Sequence, residues 1–307
     1  MRIAWSRNSG NSHAGSARGL KLSGRQQLAL FGPLAALLSI WLLGPALAGL
    51  LATFTNYAPG RPTIHLVGLA NYVAVLTDPG FLTSARNVAI FTAVAVPAEL
   101  VLGFVLAYLL RRPFRGRSAL RIALLVPWLV SPIANGVMWH FLFNRSTGPL
   151  NFALGWLGLP EQASPLGQRG LSLATAILVE VWRMAPFVTF LLVPGLAAIP
   201  EERSEQAMLD GANWAQRIAH IALPSIQPLL LAVTLLLVGA ALGTFDGILV
   251  LTGGGPGSET TTPALFSYRA AFEADNWPIG TTAGWLIMAA VLLVGLVYLK
   301  VAPRDES

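Results

Sequence analysis

The chain has 307 residues, of which 54% are hydrophobic and 11% charged, whereas a soluble domain carries roughly 25% charged residues. This composition indicates a membrane protein. The absence of cysteine excludes disulfide scaffolds, thiolate metal sites and cysteine nucleophiles. The net charge of +6 does not predict nucleic-acid binding, because the 20 Lys and Arg residues lie between apolar runs rather than on one soluble face.

Six apolar runs are long enough to cross a hydrocarbon core of about 30 Å, which takes about 20 helical residues. Because the runs are continuous rather than alternating, they predict helices and not barrel strands. The fold class is therefore all-α, a polytopic membrane protein with six transmembrane helices. The predicted spans are residues 28–54, 88–110, 122–143, 171–199, 229–251 and 277–299.

The basic residues predict the orientation of these spans. Fourteen of the 20 Lys and Arg residues fall on one side, five fall on the other, and Arg183 lies inside a span. By the positive-inside rule, both termini are cytoplasmic. Residues 1–27 form a basic cytoplasmic tail whose composition predicts disorder. Residues 28–302 form one six-helix membrane domain, since no loop is long enough for its own core, and residues 303–307 form a second cytoplasmic tail.

Motifs for enzymatic chemistry are missing from the sequence. Neither Lys21 nor Lys300 follows a glycine, as the lysine of a P-loop must. The four histidines are scattered and show no metal-ligand spacing. The sequence therefore predicts no catalytic residue, no metal and no cofactor in this chain.

The longest cytoplasmic loop, residues 200–228, reads PEERSEQAMLDGANWAQRIAHIALPSIQP. Prolines at both ends bound a segment that predicts a short helix. Gly211 marks either a turn or a close contact, because glycine inside a helix costs about 1 kcal/mol relative to alanine. The residues that recur at helical spacing are Glu205, Met208, Leu209 and Ala212. From these residues alone, a helix lying on the membrane surface is one interpretation.

The loop also resembles the EAA motif of bacterial and archaeal ABC importer permeases, a cytoplasmic-membrane family. The resemblance lies in Glu205-Gln206-Ala207, Asp210-Gly211-Ala212, Ile221 and Leu223-Pro224, with Gln206 where alanine is usual. In that family the loop is a coupling helix that docks on a cytoplasmic ATPase. The resemblance therefore implies that ATP and Mg²⁺ bind to the partner, and it assigns the ATPase contact to Glu205, Ala207, Asp210, Gly211 and Ala212.

Further stretches resemble one branch of that family, the permeases of carbohydrate uptake related to maltose and glycerol-3-phosphate importers. The matching stretches are VGLANYVAVLTDPGF, PWLVSPIANGVMWHFLFN, VWRMAPF and FDGILVLTGGGPGSETT. The LTGGGP turn is similar to that of the first of the two permeases in such systems. The resemblance implies a type I permease fold that assembles with a second homologous permease, two copies of an ATPase and an extracytoplasmic sugar-binding protein.

Ionisable residues inside spans are costly and face a bundle interior or a wet cavity. Glu180 and Arg183 are three residues apart on one predicted helix and can pair, so a structural role and a pathway role are equally open. Glu99 is a further intramembrane carboxylate. Asp246 either belongs to the pathway or caps the outer end of its span.

The resemblance adds that sugar contacts come from the fourth and fifth spans. Trp139 and Trp182 offer flat apolar faces that suit a pyranose ring, although tryptophan near a span end is often an interface anchor. The predicted substrate pathway consists of Glu180, Trp182, Arg183, Met184, Phe187, Thr244 and Asp246.

Together these features predict a permease subunit of an ATP-driven carbohydrate importer, with no enzymatic activity of its own. An ABC permease for a polyamine or an amino acid is the nearest alternative. An ion-coupled secondary carrier would also use intramembrane carboxylates such as Glu99 and Asp246. An intramembrane enzyme has the least support, because the sequence has no serine elbow and no zinc-ligand histidines.

Overall fold

The computed structural model describes residues 24–60, 63–144, 146–156 and 164–301. Apart from one antiparallel bridge between Thr55 and Leu66, these residues form helices and turns. The α-helices are α1 (Gly24–Leu38), α2 (Gly44–Ala52), α3 (Ala70–Thr77), α4 (Pro79–Arg111), α5 (Arg117–Leu129), α6 (Pro132–Leu142), α7 (Pro149–Trp156), α8 (Leu171–Ala197), α9 (Glu201–Leu209), α10 (Trp214–Arg217), α11 (Leu223–Ser225), α12 (Gln227–Leu242), α13 (Asp246–Leu251), α14 (Pro263–Tyr268) and α15 (Trp277–Val301).

Short tighter or wider turns join some of these helices. A 3₁₀ turn lies at Pro165–Gly167, and π-helical turns lie at Ser39–Leu43, Ile218–Ala222 and Arg269–Glu273. The chain divides into two compact units, residues 1–48 and residues 49–307. The predicted disorder of the N-terminal tail falls almost wholly outside the described residues, and residues 303–307 lie outside them as well.

Among the described residues, four helices are long and apolar enough to cross a membrane, and two bent helix pairs raise the number to six if each pair is one span. The long helices are Phe31–Ala52, Pro79–Arg111, Leu171–Ala197 and Trp277–Lys300. The bent pairs are Arg117–Leu129 with Pro132–Leu142, at 97°, and Trp214–Ser225 with Gln227–Leu242, at 75°. The prediction of a helical, polytopic chain is therefore confirmed.

The prediction of an unbroken helix over residues 122–143 is wrong. α5 ends at Leu129, and Ser131 is extended, with φ −61° and ψ 150°. The cause is Pro132, which disfavours helical geometry in the residue before it and suits the first position of a new helix. Ser131 caps that new helix, because its hydroxyl oxygen accepts the Ala134 N–H at 3.3 Å.

The prediction of an unbroken helix over residues 229–251 is also wrong. α12 ends at Leu242, and α13 begins at Asp246 after a break in which Phe245 has φ −150°. A tertiary contact supports the break, since the Thr262 hydroxyl donates to the Thr244 carbonyl at 2.8 Å. A carbonyl freed from the helix ladder at membrane depth needs such a donor.

The core is centred on the contact between α4 and α8. Gly103 permits the close approach, because a Cβ at this position would lie 2.5 Å from the Val188 side chain. The same apolar cluster continues from Phe91 near the start of α4 to Ile226 at the start of α12. α4, α8 and the ends of the loop at residues 200–228 therefore share one packed core.

α6 and α13 make a second close contact, at a pair of glycines. A Cβ at Gly136 would lie 2.7 Å from the Gly247 carbonyl oxygen. This backbone-to-backbone approach sets the position of α6 against α13. Both helices are short and each follows a break, so the contact joins the two interrupted spans.

Candidate functional site

The centre of α8 carries an ion pair at membrane depth. Arg183 donates from Nη2 to Glu180 Oε1 at 2.6 Å and from Nε to Glu180 Oε2 at 3.2 Å. The side chains are 14% and 17% exposed for Arg183 and Glu180. This two-bond geometry satisfies both groups where solvation is poor, so the predicted pairing within one helix is present.

Glu180 also lines a small cavity between the helices. The cavity has a volume of about 20 Å³, which is room for about one water molecule and far too little for a sugar ring. Its walls come from α4, α6, α8, α13 and the break between α12 and α13. The lining residues are Phe91, Pro132, Asn135, Gly136, Ala176, Val179, Glu180, Thr244, Gly247, Ile248 and Leu251.

The structure thus brings Glu180 and Thr244 of the predicted pathway to one cavity, with Arg183 bound to Glu180. The other predicted pathway residues lie elsewhere. Met184 is 8% exposed and belongs to the apolar core. Asp246 is the first residue of α13, and its Oδ1 accepts the N–H of the next residue, Gly247, at 3.0 Å.

The predicted aromatic residues form pairs with one another. Phe187 stacks on Trp128 with a centroid separation of 5.6 Å. Trp182 meets Trp139 edge-on at 5.5 Å, and Trp139 also stacks on Phe143. These rings pack against one another, and none of them lines the cavity.

Two buried polar residues complete the intramembrane site. Glu99 on α4 is 3% exposed, and Glu180 and Arg183 are the charged groups that act on it electrostatically. Asn135 on α6 is 2% exposed and lines the cavity. The sequence analysis named Glu99 but missed Asn135. The signal for Asn135 was a single amide within an apolar run, three residues after Pro132.

In the loop of residues 200–228, the Asp210-Gly211-Ala212 segment of the EAA-like motif terminates α9. Gly211 has φ +82°, the left-handed conformation that favours glycine. The Gly211 N–H donates to the Met208 carbonyl at 3.1 Å, and the Ala212 N–H donates to the Ala207 carbonyl at 2.8 Å. This hydrogen-bond pattern is a Schellman motif. Of the two interpretations of Gly211, the turn is therefore the one the structure bears out.

A second helix begins directly after that turn. Asn213 Oδ1 accepts the Gln216 N–H at 2.9 Å, and Gln216 Oε1 accepts the Asn213 N–H at 2.8 Å. This reciprocal pair is a capping box that starts α10. The predicted single short helix is thus two helices, α9 and α10, joined by a turn that local side chains and backbone hydrogen bonds define.

The turn exposes apolar side chains and borders a hollow. Leu209 is 88% exposed and Trp214 is 59% exposed. An open hollow of about 350 Å³ is lined by Ala207, Asp210, Gly211 and Ala212 together with residues of α10 and the following π turn. Four of the five predicted ATPase-contact residues therefore meet at one surface. The fifth, Glu205, lines a separate hollow with Arg111, Arg112 and Arg217.

The loop is anchored in the membrane core at both ends. Arg111 at the end of α4 donates from Nη2 to the Ile199 carbonyl at 3.0 Å. Ile199, Ala222 and Ile226 belong to the same buried cluster as Leu192 of α8. Both ends of the loop therefore share a buried cluster with the helix that carries Glu180.

No group of three or more potential metal ligands occurs among the residues described by the structure. A model of the family described as binding-protein-dependent transport system inner membrane component matches residues 99–304, more than half of the chain. The chain belongs to this family. It is a multi-pass inner-membrane permease of an ABC importer and not an enzyme, so neither the secondary carrier nor the intramembrane enzyme describes it.

Individual relatives place the chain among carbohydrate permeases, as its motifs indicate. It is 36% identical over 249 residues, 80% of this chain and 82% of the relative, to the trehalose/maltose transport system permease protein MalF of Thermococcus litoralis. It is 32% identical over 244 residues, 78% of this chain and 77% of the relative, to the trehalose transport system permease protein SugA of Mycobacterium tuberculosis H37Rv.

Solved structures share the fold. A chain of a bacterial ABC transporter involved in the import of the acidic polysaccharide alginate superposes with a TM-score of 0.77 at 19% identity, covering 91% of this chain and 98% of that chain. The same kind of transporter, in complex with an alginate pentasaccharide-bound periplasmic protein, gives a TM-score of 0.78 at 20% identity, covering 89% and 93%. The type I ABC importer permease fold is therefore confirmed.

Proposed function

We propose that this chain is the first permease of a heterodimeric importer for a neutral carbohydrate of the trehalose or maltose class. The observation that carries the proposal is the 36% identity to a trehalose/maltose permease over 80% of the chain, joined to a cytoplasmic loop shaped for docking. A second permease, two ATPase subunits and an extracytoplasmic sugar-binding protein complete the complex. ATP and Mg²⁺ bind to the ATPase subunits.

In this proposal each bent helix pair counts as one span, so the chain crosses the membrane six times with both termini in the cytoplasm. The basic residues support this orientation. Arg111, Arg112 and Arg217 line one hollow at the loop of residues 200–228, and Lys and Arg are enriched on the cytoplasmic side of a membrane protein. The loop between α2 and α3, which carries Leu66, then lies outside. Residues 28–302 form the membrane domain, with the coupling loop at residues 200–228.

The coupling loop meets the ATPase through the surface that surrounds the Schellman turn. Exposed large apolar side chains at a polar boundary mark a protein interface, and Leu209 and Trp214 are such residues. The hollow lined by Ala207, Asp210, Gly211 and Ala212 receives a side chain of the ATPase. Glu205 contributes an acidic group at the edge of this surface.

The pathway runs past the cavity beside Glu180 and Thr244. Glu180 is an acceptor for sugar hydroxyls, and Arg183 holds its carboxylate in a fixed orientation through two hydrogen bonds. The proposed pathway also includes Trp182, Arg183, Met184, Phe187 and Asp246. The ion pair leaves no unneutralised guanidinium at the cavity wall, which favours a neutral substrate over an acidic one.

In this proposal the chain carries out no chemistry and transports the sugar by alternating access. ATP binding brings the partner ATPases together and displaces α9. The loop is anchored in the core by Ile199 and Ile226, so the displacement reaches α8 and moves Glu180 relative to α6 and α13. The cavity then opens to the outside and accepts the sugar, and ATP hydrolysis restores the first arrangement.

Topology and assembly can be tested together, because the chain has no cysteine of its own. Single cysteines at Leu66 and Leu209 should react with a membrane-impermeant maleimide from opposite sides of sealed vesicles. A tagged chain should retain the second permease and the ATPase through detergent extraction. Labelling of both positions from the same side would contradict the topology, and a chain that retains no ATPase would contradict the function.

The choice of solute has its own test. ATP hydrolysis by the complex with its binding protein should rise with a neutral disaccharide and not with polyamines or amino acids. Stimulation by a polyamine or an amino acid alone would favour the alternative ABC permease, because the fold and the coupling loop serve either solute.

A further inference from the structure

Asn135 is a buried amide with an unsatisfied side chain at the wall of the intramembrane cavity. The residue is 2% exposed, and its Oδ1 has no hydrogen-bond partner in the part of the chain that the structure describes. A buried polar atom without a partner costs about 1 to 3 kcal/mol. Native structures contain few such atoms, and a functional role is one explanation for them.

Asn87 shows what a purely structural asparagine looks like in the same fold. It is 7% exposed, and its Nδ2 donates to the Ser258 carbonyl at 2.7 Å and to the Thr261 carbonyl at 3.0 Å. These bonds tie α4 to the loop after α13. Burial is similar for the two asparagines, but only the Asn87 side chain is used to join elements.

The backbone around Asn135 is held firmly in place. Gly136 lies against the Gly247 carbonyl, with room for no Cβ, and Pro132 fixes the start of α6. The backbone at Asn135 therefore cannot shift away from the cavity without separating α6 from α13. Both helices adjoin breaks in their spans, so these short segments are the parts of the wall best able to move apart.

We propose that Asn135 is a substrate-contacting residue of the pathway, whose carboxamide binds a sugar hydroxyl beside Glu180 when α6 and α13 separate. This inference rests on the proposed carbohydrate function and adds a residue to its binding site. The carboxamide offers both a donor and an acceptor, and Glu180 offers an acceptor. Adjacent hydroxyls on a pyranose present the complementary set.

The combination of Asn135 and Glu180 also predicts that the permease prefers a sugar carrying these hydroxyl groups to an analogue that lacks them. A site built to hydrogen-bond a hydroxyl rejects an analogue that lacks it, because the buried groups of the site are then left unpaired. Asn135 is thus a specificity-determining residue of the permease itself, separate from selection by the binding protein.

The test uses the full complex in proteoliposomes, with sugar-loaded binding protein outside, and measures sugar imported per ATP hydrolysed. The Asn135→Leu variant keeps the branching and the number of side-chain heavy atoms and removes the hydrogen bonds, so this ratio should fall about tenfold, the equivalent of one good hydrogen bond. The Asn87→Leu variant is the matched control. It should lower the yield of folded complex but leave the ratio of the surviving complex unchanged.

A second variant keeps the proposal testable if Asn135→Leu does not assemble. Asn135→Ser replaces the carboxamide by a hydroxyl, which still donates and accepts hydrogen bonds, and should give a ratio between those of the wild type and a fully apolar site. An unchanged ratio in the assembled variants, with import and hydrolysis falling in parallel, would show a structural role and overturn the inference. If the wild-type complex imports no sugar at all, the proposed function fails instead.

Discussion

The cytoplasmic loop and the intramembrane site are built in opposite ways. The loop takes its shape from bonds between residues close in sequence, namely the Schellman turn at Gly211 and the capping box of Asn213 and Gln216. The intramembrane site is assembled from four separate helical segments and depends on one close backbone contact, Gly136 against Gly247. In the proposed function, the loop must fit the ATPase, and its shape is fixed by local hydrogen bonds. The intramembrane site must open, and it is held by contacts between helices that can separate.

The largest expected effect is in the membrane, at the ion pair. Glu180→Leu leaves Arg183 buried without its partner, and we expect a loss of about 3 kcal/mol in the stability of the complex. The double variant Glu180→Leu/Arg183→Leu should recover most of this loss, because it removes both charges. Thermal unfolding of the purified complex measures both. Equal stability of the single and double variants would mean that the pair is not the source of the effect.

The next effect tests the contact between α6 and α13. Gly136→Ala places a methyl group 2.7 Å from a carbonyl oxygen, and such overpacking costs about 2 kcal/mol. Gly284→Ala is the control within α15, since its Cβ would meet the Ser267 hydroxyl at an ordinary 3.6 Å. Unfolding temperatures should separate the two variants, and similar values would contradict the close packing described here.

A smaller effect on stability but a clear one on assembly is expected at the turn of the loop. Gly211→Val is strained by about 1 kcal/mol because of the positive φ, although a Cβ there has no described atom within 4 Å. Gly211→Asn should be tolerated, since asparagine adopts this conformation more readily. The amount of ATPase retained by the tagged chain should fall for valine only. Equal loss with both would implicate size rather than backbone geometry.

The smallest effect on stability is expected at the exposed face of the loop. Trp214→Ala removes a 59% exposed side chain and should change stability by no more than about 0.5 kcal/mol, yet it should weaken ATPase retention. Leu66→Ala, at an 84% exposed residue on the proposed outer side, is the control. Retention that is lost equally in the two variants would rule out a specific docking role for Trp214.

The parts of the molecule that the sequence predicted are those governed by local rules. Long apolar runs require helices in lipid, so Leu171–Ala197 and Trp277–Val301 fall close to their predicted limits. Glu180 and Arg183 pair because their spacing places them on one helical face. The turn at Gly211 follows from a glycine after a helical run.

The parts that the sequence did not predict depend on distant partners. The break before Asp246 is supported by Thr262, which lies 18 residues from Thr244, and hydropathy alone does not reveal such a contact. Asn135 becomes a cavity residue only because α6 meets α13. The burial of Met184 in the apolar cluster likewise depends on how α8 packs against its neighbours.

The most direct test of the account is ATP-driven uptake of a radiolabelled neutral disaccharide into proteoliposomes that contain this chain, the second permease and the ATPase, with the binding protein outside. We expect uptake that requires ATP and the binding protein and that is lost in Gly211→Val but retained in Gly211→Asn. Uptake without ATP, or uptake of a polyamine or an amino acid in place of the sugar, would contradict a carbohydrate importer driven through this loop.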